Sequence, residues 1–172
     1  MVYENMRSGQ NIGRIKAAPN LVNICVDEIA QEEMKGRLYH CYKKEATNFK
    51  NVVELLDEME KLYDKLHFPE ASTKSRSFLR EKAPQQRETI PKAVEPKTVL
   101  EQKGTKGTFL VCVQYRQNAT WQGEIVLMES EESYEFSSAL DLVKIINNTS
   151  YRYNDGQQNI IFVGKQSLHL FF

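Results

Sequence analysis

The sequence predicts an α+β domain made of two strand–strand–helix units, which place a four-stranded antiparallel sheet under two helices on one face. Three observations lead there. Shifting the chain by 87 positions superposes its landmarks without a gap: Cys25 on Cys112, Val26 on Val113, Gly36 on Gly123, Leu38 on Ile125, Phe49 on Phe136, Leu55 on Leu142 and Met59 on Ile146. Each unit begins with alternating runs rich in β-branched residues, Leu21–Ile29 in the first and Phe109–Tyr115 in the second. Each then reaches an N-cap residue with a carboxylate three positions on, Asn51 with Glu54 and Ser138 with Asp141, followed by apolar residues at helical spacing.

Composition frames this reading. The 172 residues suit one domain or two very small ones. Lys plus Arg, 23, equals Asp plus Glu, 23, so no global field recruits nucleic acid or a membrane surface. The three cysteines are widely spaced and form no CxxC pair, which removes zinc and redox-motif readings. Cys25 and Cys112, at equivalent strand positions, read as reduced packing residues. No apolar run reaches the ~20 residues of a membrane span. The first residues lack the apolar stretch of a signal peptide. A cytoplasmic location is therefore expected.

Residues 1–20 are polar and contain Gly9, Gly13 and Pro19, which predicts a loose lead-in. A strand over Leu21–Ile29 turns through residues 30–36 into a second, antiparallel strand over Arg37–Lys43. A helix starts at Asn51. Its apolar face is Val52, Leu55, Leu56, Met59, Leu62, Tyr63 and Leu66. Glu54, Asp57, Glu58, Glu60 and Asp64 read as its solvated side, and Pro69 closes it. Residues 1–69 thus form the first unit. Residues 70–107 hold nine Lys/Arg, five Asp/Glu and three of the five prolines, and read as a flexible basic linker. The second unit, 108–148, has a strand to Arg116, a turn at Gln117–Thr120, a return strand through Trp121, Gly123, Ile125 and Leu127, and a helix ending at Asn147–Asn148. In the tail, 149–172, the runs Asn159–Val163 and Leu168–Phe172 predict a hairpin.

A hairpin with a single helix buries too little surface to be stable by itself. The two units are therefore expected to form one domain about a pseudo-twofold axis, as a joined homodimer would. Its helix-free sheet face would show Asn23, Arg37, Tyr39, Gln114, Arg116 and Gln122, with Trp121 at the edge.

The stretch Arg116–Gln117–Asn118–Ala119–Thr120–Trp121–Gln122–Gly123, with Phe136 and Ser138–Ala139–Leu140, resembles an uncharacterised family of small proteins from anaerobic Gram-positive bacteria. That family's pattern runs TFLVxVQxRQNATWQGxIxWxE and then FRSALELxKLxD. Ile12–Ile15, Ala18–Leu21 and Ser75–Phe78 are also similar to it, so the likeness spans residues 12–147. The chain departs from the pattern at Leu127, where the family has a second tryptophan, and at Ser137, where it has an arginine. The resemblance implies a bacterial source and carries no activity.

The three histidines show no Ser/His/Asp or Cys/His spacing, and no glycine-rich phosphate loop is present, so neither catalytic nor metal-binding residues nor a cofactor are expected. The expected function is a non-enzymatic binding or adaptor module for a protein partner, as a monomer or homodimer. Its contact residues would be Arg37, Tyr39, Gln114, Arg116, Gln117, Asn118, Trp121 and Gln122. A first alternative is a single-stranded nucleic-acid module, with Tyr39 and Trp121 stacking bases beside the arginines. A second rests on Lys165–Phe171, similar to the short peptides by which bacterial proteins bind the sliding clamp.

Overall fold

Two antiparallel meanders make the sheet. The first is β1 (Val22–Ala30), β2 (Glu33–His40) and β3 (Thr47–Phe49). The second is β4 (Gly107–Gln117), β5 (Thr120–Leu127) and β6 (Glu132–Phe136). They join antiparallel through β1 and β4, with Val22 opposite Val111 and Val26 opposite Gly107. The strand order is β3-β2-β1-β4-β5-β6. Among the described residues four helical segments complete the fold: α1 (residues 12–17), α2 (Val52–Leu66), α3 (Pro96–Leu100) and α4 (Ala139–Asn154). These elements come from a computed structural model that describes residues 12–31, 33–71, 90–117 and 120–154.

The α+β class is as expected, but the sheet has six strands rather than four. The added edge strands, β3 and β6, are short and polar apart from one phenylalanine each. Phe49 lies opposite Gly36 and Phe136 opposite Gly123. A Cβ at either glycine would sit 2.9 Å from the facing Phe Cζ and against the carbonyl oxygen of Cys25 or Cys112. Each ring thus occupies the space that the missing side chain leaves. Both phenylalanines are buried where the chain leaves the sheet for a helix.

The two helix starts also match. Asn51 Oδ1 accepts from the Glu54 N–H at 2.9 Å, and Ser138 Oγ accepts from the Asp141 N–H at 3.0 Å. Glu54 and Asp141 in turn accept from the Lys50 and Ser137 N–H groups. These bonds satisfy donors that a helix start leaves open. At the other end of α2, His67 takes a left-handed conformation and closes it. Helix α4 does not stop at Asn147–Asn148. It continues to Asn154, and Thr149 and Ser150 extend the buried face of Ile146 beyond the asparagines. Thr149 Oγ1 also donates back to the Ile145 carbonyl. The hairpin expected over residues 159–172 and the clamp-binding-like peptide lie outside the described residues.

Helices α2 and α4 cover one face. Leu55, Met59, Leu62, Tyr63, Leu142 and Ile146 pack there on Ile24, Val26, Leu38, Val111, Val113 and Ile125. The opposite face is not the open polar surface expected from the strand alternation. Ile15 of α1 and Leu21 pack on Leu110 and Val126, with Leu100 of α3 and Cys112 alongside. So the lead-in contains a docked helix. The last part of the stretch read as a linker, residues 90–106, holds another. Asn23, fully buried, donates to the carbonyls of Val99 at 2.7 Å and Gln102 at 3.0 Å, which ties α3 to β1. The cysteines are free, with Cys25 and Cys41 buried and Cys112 half-buried. Burial pushes the Cys25 thiol up to about 12 and that of Cys112 to about 11.

Candidate functional site

Each hairpin carries a β-bulge at the equivalent place, between Val26 and Glu28 in β1 and between Val113 and Tyr115 in β4. An extra residue in one strand reverses which face the following side chains meet. Beyond its bulge, therefore, β4 turns Arg116 toward the helix side, opposite Trp121 of β5. Only 5% of Arg116 is exposed. Its guanidinium donates to Asp64 Oδ1 at 2.6 Å, to Glu60 Oε1 and to the Pro69 carbonyl at 3.4 Å. Glu60 and Asp64 are four apart on α2, so their carboxylates emerge on one face. Trp121 Nε1 donates to the other Glu60 oxygen at 2.9 Å. The buried Tyr63 ring packs edge-on against Trp121 at 5.5 Å and lies 5.9 Å from the guanidinium carbon of Arg116. Burial pulls the Arg116 pKa down, but the Asp64 hydrogen bond and the Glu60 charge outweigh it and the value is raised. Beside this cluster lies a cleft of about 520 Å³ lined by Val53, Leu56, Asp57, Glu60, Ala71, Arg116, Thr120 and Trp121.

Arg37 and Tyr39 lie together elsewhere. Arg37 grips Asp27, the bulged residue of β1, through two bonds of 2.7 and 3.0 Å. It also donates to Tyr39 Oη at 2.8 Å and to the Lys103 carbonyl at 2.9 Å. Asp27 in turn accepts from the Thr105 N–H at 3.2 Å. The Arg37 hydrogen bond holds the Asp27 carboxyl below the usual carboxylate range. This pair clamps the segment after α3 onto the sheet.

The third group surrounds the bulge of β4. Shifted by 87 positions, Arg37 falls on Glu124 and Asp27 on Gln114. Here the strands supply the acid and the cation comes from α1. Glu124 Oε1 accepts from Gln114 Nε2 at 2.9 Å and from the Arg14 guanidinium. The Glu124 hydrogen bond raises the Arg14 pKa. A cleft of about 710 Å³ adjoins this network, lined by Gln114, Tyr115, Gln122, Gly123, Glu124, Glu135, Phe136, Ser137 and Asp141.

The single surface expected from the sequence is thus three separate groups. Arg116 and Trp121 join α2 beside the smaller cleft, Arg37 and Tyr39 hold the segment after α3, and Gln114 and Gln122 line the larger cleft. Gln117 is exposed, and Asn118 lies outside the described residues. Sequence reasoning passed over Glu60, Asp64, Glu124, Glu135, Tyr115 and Arg14. Glu124 carried a readable signal, a lone charge inside the apolar run Gly123–Leu127. Glu60 and Asp64 carried none, since acids on the polar side of a helix are usually solvated. Comparison with protein-family models, with curated proteins and with solved structures finds no match to this chain. Among the described residues no group of three or more His, Cys, Asp and Glu side chains is placed to hold a metal ion. No described helix is long and apolar enough to cross a membrane.

Proposed function

We propose that the protein is a non-catalytic binding module that receives a protein partner on the sheet end around Gln114, Tyr115 and Gln122. The observation that carries this is the cleft of about 710 Å³ beside the β4 bulge, where Tyr115, 53% exposed, stands next to two glutamines and a buried carboxylate. An exposed aromatic beside fixed hydrogen-bonding groups is the usual composition of a protein contact. Bulges often re-aim side chains next to functional sites. Arg37, Tyr39, Arg116 and Trp121, expected at the contact, act in this reading as supports. Two points weigh against single-stranded nucleic acid. The arginines meant for phosphates already hold Asp27, Glu60 and Asp64, and the cleft is lined by Glu124, Glu135 and Asp141.

We also read the two halves as copies of one ancestral unit, the arrangement behind the expected pseudo-twofold domain. The bulges, the Phe-on-Gly contacts and the helix caps recur at the same spacing, and that supports it. In this reading the equivalent positions diverged: Asp27 and Arg37 pair with each other, while Gln114 and Glu124 border a cleft.

The test is a Tyr115→Ala/Gln122→Ala double variant compared with Lys61→Ala on the far side of α2. Crosslinking in native cells, followed by mass spectrometry, should recover a partner from wild type and Lys61→Ala but not from the double variant. All three should melt alike. Equal recovery of the same partner by the double variant would remove this face from consideration.

A further inference from the structure

On β5 and β6, Glu124 lies directly opposite Glu135. Like charges in directly opposed positions destabilise a strand pair, and the largely exposed Arg14 guanidinium, which both carboxylates favour, offsets this from one side. Glu124 is also deeply placed, with 9% of its side chain exposed. Its Oε1 is engaged by Gln114 and Arg14. Its Oε2 is buried and has no hydrogen-bond partner among the described residues. A buried carboxylate oxygen without a donor is unfavourable, because the water it gave up has not been replaced. Glu124 and Glu135 both line the cleft of about 710 Å³, together with the amide groups of Gln114 and Gln122.

We propose that this cleft takes the guanidinium of an arginine side chain presented by the partner, held by Glu124 and Glu135. The inference rests on the binding-face reading above and names the chemistry that the face recognises. A guanidinium carries five N–H donors in a planar fork, which matches two carboxylates and the carbonyl oxygens of flanking amides. An ammonium is a point charge and more strongly hydrated, so it uses such a site less well. Glu124 already accepts one guanidinium, that of Arg14 on α1, whose side chain is 61% exposed. The chain thus supplies its own example of the bonded group. Arg14 is also positioned to compete, so removing it should strengthen capture of an added arginine.

The experiment follows the side-chain amide signals of Gln114 and Gln122 by NMR in the full chain. Acetyl-arginine methylamide is titrated in, with the corresponding citrulline and lysine derivatives as controls. The arginine probe should give saturable shifts. The citrulline probe, which keeps the shape and lacks the charge, should bind about tenfold more weakly or not at all. Arg14→Ala should tighten arginine binding, Glu124→Gln should abolish it, and the exposed Glu135→Gln should weaken it while leaving the backbone spectrum unchanged. Equal shifts with the lysine probe, or arginine shifts that persist in both Glu124→Gln and Glu135→Gln, overturn the proposal. So does a lack of saturable shifts while Tyr115 and Gln122 still govern partner recovery, in which case the binding face stands without its arginine preference.

Discussion

Arg116 shows how one inserted residue decides a role. Strand alternation puts it with Gln114 on the outer face; the bulge at Gln114 brings it under α2 instead, between Glu60 and Asp64. A buried guanidinium with two carboxylates is a support whose removal strands its partners. Arg116→Ala should therefore lower stability by about 1–2 kcal/mol, less than breaking a fully buried pair, because the acids left behind are 44% and 64% exposed and stay hydrated. Arg116→Lys should restore only part of this, since one ammonium does not reproduce the fork. Denaturant melts of the two variants check the ranking, and a wild-type midpoint for Arg116→Ala would show the cluster to be idle. His40 offers a second test. Burial, and then Lys43 and Lys65, depress its pKa from 6.5 to about 4, with Glu58 opposing them. The unfolded chain then binds the proton first as pH falls. Stability from this group is intact above about 6.5 and is lost as pH drops toward about 4. Asp27, also depressed, acts only below the ordinary aspartate value of 3.8, so the two windows separate. His40→Gln should flatten the upper window in a pH series of melting temperatures while leaving the lower one. An unchanged slope between pH 6.5 and 4 would contradict the assignment.

Elements were legible in proportion to their length and regularity. The 15-residue α2 announced itself through its apolar face and cap, and β1 and β4 through their alternation. The five-residue α3 is shorter than any window in which helical periodicity can be read, and three-residue β3 has a single apolar member. Both depend on distant partners, α3 on Asn23 some 76 positions away, and such contacts have no local signature. The buried asparagine was visible in the strand, but not what it would hold. Asn23→Ala removes the donor to the Val99 and Gln102 carbonyls. It should release α3 as a local unit and leave the sheet intact. Hydrogen exchange should then speed up at Thr98, Glu101 and Gln102, whose N–H groups bond within this turn, and stay slow in β1 and β4. Uniform loss of protection across the sheet would mean that Asn23 supports the whole face and not α3 alone.

The whole molecule is held by contacts that cross between its halves. The β1–β4 pairing builds one sheet from two meanders. Glu60 and Asp64 of the first half hold Arg116 of the second, and Arg14, ahead of β1, reaches Glu124 of β5. Asn20 donates to the Val113 carbonyl at 2.7 Å, another bond between halves. The segment before β4 crosses back: Arg37 of β2 holds the Lys103 carbonyl, and the Lys106 N–H bonds Val26. Each half expressed alone would expose one edge of a central strand, β1 or β4. A three-stranded meander with one helix is near the minimum for an independent core, and here each half also lacks the strand edge and ion-pair partners that the other supplies. Residues 1–70 and 107–172 made separately should therefore be poorly dispersed by NMR and show no cooperative melt. The intact chain should unfold in a single transition seen alike by tryptophan fluorescence, from Trp121 in the second half, and by far-ultraviolet circular dichroism. Mixing the two fragments should recover part of the native spectrum, because the β1–β4 edge and the Arg116 cluster remain complementary. Two separate transitions in the intact chain, or fragments that each melt cooperatively near the intact midpoint, would show that the crossing contacts are incidental and that each half carries its own core.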